Sequence, residues 1–329
     1  MKRSANGGIS PAVRARPAPL RIVTSEAPPP AFAKAKEISL SPDDSLEEAA
    51  ARIFSASLDH FAANVALMPA SDAAESVHQM RVALRRLRAA IGLMRAALDG
   101  PALETAREEA KALANVLGAA RNWDVFGDML KGPREVFGSD PSFDALLAAV
   151  ERRRARAYRD ARKTLASPQA AQFVEALRLA IAQRDWRIDE NMRAAGSARD
   201  FASEALTRLR KRLLKKSRGL ATLSPEARHQ ARIALKKARY GAEFFYSLYP
   251  DRKATRAYLR ALEDMQDGMG ALNDMAVANS LLDDIDAEGG AALRASAFTR
   301  GWFAHAACAG VAHAEKSEKR LKELEPFWA

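Results

Sequence analysis

Two eleven-residue segments of this chain carry side chains able to grip an anion, at the same spacing each time. They are His78-Gln79-Met80-Arg81-Val82-Ala83-Leu84-Arg85-Arg86-Leu87-Arg88 and His229-Gln230-Ala231-Arg232-Ile233-Ala234-Leu235-Lys236-Lys237-Ala238-Arg239, which start 151 residues apart and agree at six of eleven positions. Wound as helices at about 100° per residue, His78, Arg81, Arg85 and Arg88 share one face, and His229, Arg232, Lys236 and Arg239 share another. The planar fork of arginine holds phosphate oxygens two at a time, while lysine sits beside it as a point charge. Histidine adds a ring N–H donor and gains charge if an anion raises its pKa. Neither segment contains an acidic residue. A solvated helix face usually alternates sign, because like charges four residues apart repel. An uncompensated stripe carried twice makes sense if a polyanion absorbs the charge, and a chain of phosphates suits this mixture of side chains.

Residues for group transfer are missing from the pattern. The sequence has no GxxxxGK[ST], no HExxH and no alternating Glu-x-Glu-x-Lys, and its one cysteine, Cys308, cannot make an internal disulfide. Asp283, Asp284 and Asp286 read as a solvated helix end. His305, Cys308 and His313 share a helix but lack a fourth metal ligand. We therefore expect a binding protein and not an enzyme, with no cofactor and no metal. Trp302, Phe303, Phe327 and Trp328 read as the closure of the last bundle, not as a platform for stacked bases.

The elements that must position these faces are helices. From about Ser41 onward the chain is rich in Ala, Leu, Arg and Glu and poor in β-branched residues, and no alternating strand pattern competes. Met80, Leu84, Leu87, Ile91 and Met94 gather opposite the first basic face, and Leu235, Ala238, Ala242 and Phe245 opposite the second. Ser41-Pro42, Asp140-Pro141, Ser167-Pro168 and Ser224-Pro225 each place a capping side chain before a proline suited to the first helical turn. Asp72 and Glu75 have the spacing of a capping box. Breaks at Gly100-Pro101, Gly132-Pro133, Gly196, Pro250 and Gly289-Gly290 divide the chain into about ten helical segments. Residues 1–40, with six of the fifteen prolines, read as a disordered Pro/Ala-rich basic tail. The rest divides into repeat 1 at about 41–190 and repeat 2 at about 198–325.

The net charge of +11 favours an acidic partner without naming it: polyphosphate, nucleic acid and an anionic membrane all qualify. No run of about 18 apolar residues could span a bilayer, and no signal peptide follows the first basic residues, so a cytoplasmic location is expected. Two further basic stretches, Arg152 to Lys163 and Arg208 to Arg218, could extend the surface, with Arg208, Arg212 and Lys215 at helical spacing.

The repeated segments resemble the signature of the CHAD (conserved histidine α-helical domain) family, over about residues 41–325. The stretch Leu117-Gly118-Ala119-Ala120-Arg121-Asn122-Trp123-Asp124-Val125 is similar to the family's Leu-Gly-x-x-Arg-Asp-x-Asp-Val, with Asn122 where aspartate is usual. Met269-Gly270-Ala271-Leu272-Asn273-Asp274 resembles its counterpart in the second half. The resemblance implies an all-α fold of two pseudo-twofold-related helical bundles with a central basic groove or pore that binds inorganic polyphosphate. It also implies a place at polyphosphate granules or with polyphosphate-metabolising machinery. The residues expected to hold the polymer are His78, Arg81, Arg85, Arg86, Arg88, Arg121, His229, Arg232, Lys236, Lys237 and Arg239. The rival expectation is a nucleic-acid or anionic-membrane binding protein using the same faces.

Overall fold

Alanine and leucine at helical spacing, closed by proline and capping residues, produce helices nearly throughout. The computed structural model describes residues 32–68, 73–189 and 197–329, so Asp72, Gly196 and the leader up to residue 31 lie outside the described residues. Ten α-helices occupy the described chain: α1 (Leu46–Leu67), α2 (Ala73–Met94), α3 (Pro101–Met129), α4 (Lys131–Phe137), α5 (Pro141–Leu165), α6 (Pro168–Gln183), α7 (Ala198–Lys216), α8 (Pro225–Phe245), α9 (Arg252–Asp286) and α10 (Leu293–Glu323). Strands β1 (Leu98–Asp99) and β2 (Arg187–Ile188) form one short antiparallel pair, Leu98 opposite Ile188.

The caps follow side-chain chemistry. Asp140 accepts from the Ser142 amide and Ser224 from the Ala227 amide, each ahead of a proline in the first turn. Ser167-Pro168 and Gly100-Pro101 also open helices, with no side-chain cap bond. Ser41-Pro42 does not. There the chain makes a turn, closed by Asp44 N–H on Ser41 O at 3.0 Å, and α1 starts later at a capping box of Ser45 and Glu48. The break expected around Gly132-Pro133 falls at Leu130, and Pro133 sits inside the first turn of α4, where it forfeits no helical bond. Gly289 and Gly290 turn the chain from α9 to α10 at φ 72° and 102°, values that side chains rarely tolerate.

The apolar stripes form the core. Met80, Leu84, Leu87, Ile91 and Met94 of α2 are buried, as are Leu235, Ala238, Ala242 and Phe245 of α8. Each large side chain among them contributes about 1.5–3 kcal/mol by leaving water. Helix α2 packs between α1 and α3, α8 packs between α7 and α9, and α2 and α8 also touch each other. Helices α9 and α10 approach so closely that a Cβ on Gly268 would lie 2.7 Å from the Ala314 backbone nitrogen.

The tail boundary expected at residue 40 is too late. Ile38 and Leu40 are buried, Ala33 N–H donates to Asn64 Oδ1 at 3.0 Å, and Leu40 N–H donates to Ser247 Oγ at 2.9 Å. Three of the four closing aromatics behave as core, and Trp302 stays exposed: Phe303 is buried, Phe327 and Trp328 pack edge-on against Tyr258, and Trp328 Nε1–H donates to Thr207 at 3.0 Å.

Candidate anion-binding site

Helices α2, α3, α8 and α9 enclose a cleft of about 570 Å³. Two i,i+4 pairs enter it, Arg81 and Arg85 from α2 and Arg232 and Lys236 from α8, at matching positions of the two repeated segments. His78 joins them from α2 and Arg121 and Asn122 from α3, while Gln266, Asp267, Asn273 and Asp274 come from α9. The cleft thus gathers five cationic side chains against two carboxylates. Its volume falls in the usual range for sites that hold a small ligand or a segment of a longer one.

Individual contacts aim these groups. Arg81 Nη1–H donates to Ala114 O of α3 at 3.1 Å. Gly118, one turn on, leaves room for that guanidinium, because a Cβ there would collide with Arg81 Nη1. Arg232 Nη1–H donates to Asn273 Oδ1 at 2.6 Å, and Asn273 in turn donates to Asp274 Oδ1 at 3.3 Å. The Nε atoms of Arg85 and Arg232 are buried with no hydrogen-bond partner among the described residues. Such donors ordinarily cost stability unless something accepts from them.

Electrostatics record the crowding. Burial, aided by Arg232, Arg85 and Arg81 and opposed by Asp274, pulls the Lys236 ammonium down to about 7. Burial, with Arg85 and Arg121, lowers Arg81 to about 10, and burial lowers Arg232 as well. The His78 imidazolium is also disfavoured, by burial first and then by Arg121. These groups repel one another across the cleft, so an anion would relieve several of them at once.

A second cleft, about 600 Å³, shares Arg85 and Lys236 with the first. Arg88, Arg107, Arg208, Arg212 and Lys237 line it, together with Leu209 and Tyr240. Arg88 Nε is likewise buried without a partner among the described residues.

The remaining expected residues separate. His229 is exposed and does not line either cleft, so the histidine in register with His78 does not share its place. Arg86 pairs with Glu243 at 2.6 Å, and Arg239 holds the same carboxylate at 2.8 Å. Those two arginines share one carboxylate and line neither cleft, apart from the anion face expected of them. In the basic stretch of α5, Arg153 pairs with Glu288, and Arg154 pairs with Asp124 at 2.7 Å. Asp124 also accepts from Tyr158 OH, fastening α3 to α5. From α7, Arg208 and Arg212 reach the second cleft and Lys215 does not line it. Asp283 and Asp284 are exposed, as expected of a solvated helix end, while Asp286 is half-buried; Asp283 and Asp286 both pair with Arg300.

Gln266 and Arg107 are lining residues that sequence reasoning did not single out. Neither belongs to the repeated segments, and only the packing of α9 and α3 brings them to the clefts. Among the described residues there is no cluster of three metal-ligating side chains, and the side chain of Cys308 lies outside them. No described helix is long and apolar enough to cross a membrane.

The sequence profile of the CHAD domain family matches residues 52–283. Among solved structures, the CHAD domain of the plant Ricinus communis is 29% identical, with a TM-score of 0.75 over 89% of this chain and 97% of the plant chain. PptA from Streptomyces chartreusis shares the fold at 16% identity, with a TM-score of 0.64 over 83% of this chain and 99% of that one. A search of curated proteins gives no match.

Proposed function

Because this chain belongs to the CHAD domain family, we propose that it binds inorganic polyphosphate in the cleft between α2, α3, α8 and α9. The observation that carries this reading is the meeting of Arg81, Arg85, Arg232 and Lys236, drawn from two distant segments, around shared space with unpartnered guanidinium donors. His78 and Arg121 complete the proposed contacts, and Arg88 and Lys237 continue them through Arg85 and Lys236 into the second cleft. We place the protein at polyphosphate granules or with polyphosphate-metabolising enzymes, as a binding module without a catalytic step. The 151-residue offset supports a duplicated bundle as the origin of the two converging helices.

A duplex nucleic acid fits less well. The first cleft, concave and about 570 Å³, is too small to seat a duplex, and Phe126 is the single aromatic among its described lining residues on which an unpaired base could stack. Calorimetry with long-chain polyphosphate should give tight association that weakens as salt rises. Removing the charge-assisted bonds of one arginine costs about 1.5–3 kcal/mol, so Arg85→Ala or Arg232→Ala should weaken binding about 10- to 100-fold. Polyphosphate should displace DNA at far lower phosphate-equivalent concentration. Unchanged affinity in the Arg85→Ala/Arg232→Ala double variant, or failure to displace DNA, refutes the assignment.

A further inference from the structure

Lys236 occupies an unusual position even within this cleft. It lines both cavities, it is mostly buried, and three guanidinium groups, Arg81, Arg85 and Arg232, face it, with Asp274 the carboxylate that acts on it. A lysine desolvated beside other cations gives up its proton more readily and so exposes more of the free amine, the form that attacks electrophiles. The arginines that crowd it are also the groups that would seat a phosphate. The adjacent Lys237 is exposed and lines only the second cavity.

We propose that Lys236 is a site of covalent acylation by acyl phosphates, mixed carboxylic–phosphoric anhydrides whose phosphate Arg81, Arg85 and Arg232 would seat beside the amine. This rests on the reading that the cleft accepts phosphates. In the reaction the Nζ lone pair attacks the carbonyl carbon, an N–C bond forms, and the C–O bond to phosphorus breaks. Inorganic phosphate leaves with that electron pair, the amine proton passes to it or to water, and a neutral amide remains. Nothing is oxidised or reduced. The guanidinium groups stabilise the charge that grows on the departing phosphate. The amide can no longer take up a proton beside a bound anion and it fills space at the junction of the two cavities, so acylation would lower the protein's capacity for polyphosphate.

The test uses the full chain and acetyl phosphate at pH 8, with acetylated peptides quantified by mass spectrometry over time. With Lys236 held near 7 against an ordinary 10.5, its free-amine fraction is far larger than that of a solvated lysine. The lower nucleophilicity of a weaker base removes much of that gain, which leaves about a tenfold rate advantage before any benefit from docking. Lys236 should therefore be acetylated at least about tenfold faster than Lys237. The preference should shrink with N-hydroxysuccinimidyl acetate, which has no phosphate to dock, and in Arg85→Ala. Equal rates at the two lysines, or the same preference with both reagents, overturn the proposal. Long-chain polyphosphate is titrated separately by calorimetry and added as a protectant. If it binds while Lys236 stays unmodified, the acylation inference alone falls. If Lys236 is modified selectively while polyphosphate neither binds nor protects, the polyphosphate reading falls and the acylation site stands.

Discussion

Polyphosphate binding should draw a proton from solution, and the size of the effect follows from Lys236. In the free protein its pKa lies at about 7, held down by burial and by three arginines. A polyanion in the cleft neutralises those arginines and favours the ammonium, which moves the pKa up toward the 10.5 of an ordinary lysine. The bound state then carries more protons than the free state between those values, so affinity must fall as pH rises through that window. At pH 8 roughly nine-tenths of a proton is taken up per site, and between pH 6 and pH 9 the affinity drops by up to about 100-fold, or ~2.7 kcal/mol. His78, whose pKa is lowered from 6.5, is neutral in the free protein at pH 8, and any rise on binding adds to the uptake with the same sign. Calorimetry at pH 8 in buffers of different ionisation enthalpy measures the uptake directly, and Lys236→Arg should abolish it while retaining binding. Proton uptake near zero at pH 8, together with an affinity flat from pH 6 to 9, would refute the electrostatic account of the cleft.

Three other outcomes follow from the same geometry. Arg85→Met keeps the side-chain bulk but removes a buried, unpartnered Nε and its repulsion, so the free protein should melt roughly 2–4 °C higher while binding polyphosphate less well. Glu243→Gln takes the negative charge from both Arg86 and Arg239, which are largely buried against it, and urea denaturation should register a loss of about 1–3 kcal/mol. Gly118→Ala pushes Arg81 off Ala114 O at little cost to the backbone, so calorimetry should find weaker polyphosphate binding while the melting temperature barely moves.

Periodicity alone identified the buried faces of α2 and α8, because a helical stripe of Met80, Leu84, Leu87, Ile91 and Met94 has nowhere to go except a core. The same angular argument selected Arg81, Arg85, Arg232 and Lys236. It could not see what stands opposite each residue, since 100° per residue fixes direction about one helix axis and nothing beyond. Glu243 lies one turn past the acid-free stretch that ends at Arg239, and it captures both Arg239 and Arg86. His229 repeats His78 in register, yet it lies exposed outside both clefts. Ile38 and Leu40 were invisible as core because two apolar residues near a proline-rich leader make no period. Arg208 and Arg212 fitted a helical face from their spacing, but the packing of α7 decides that this face meets the second cleft.

The segment from Ala33 to Leu40 is stitched at one end to α1, through Asn64 and His60, and at the other to the turn after α8, through Ser247. Tyr246 also donates to Glu37 along the way. This strap therefore joins α1, which packs against the helix of the first basic segment, to the end of α8, which carries the second. A protease or partner that peels it away would release a tether between the two halves. The join between α1 and the end of α8 would then rest on the packing of the helices without this covering segment.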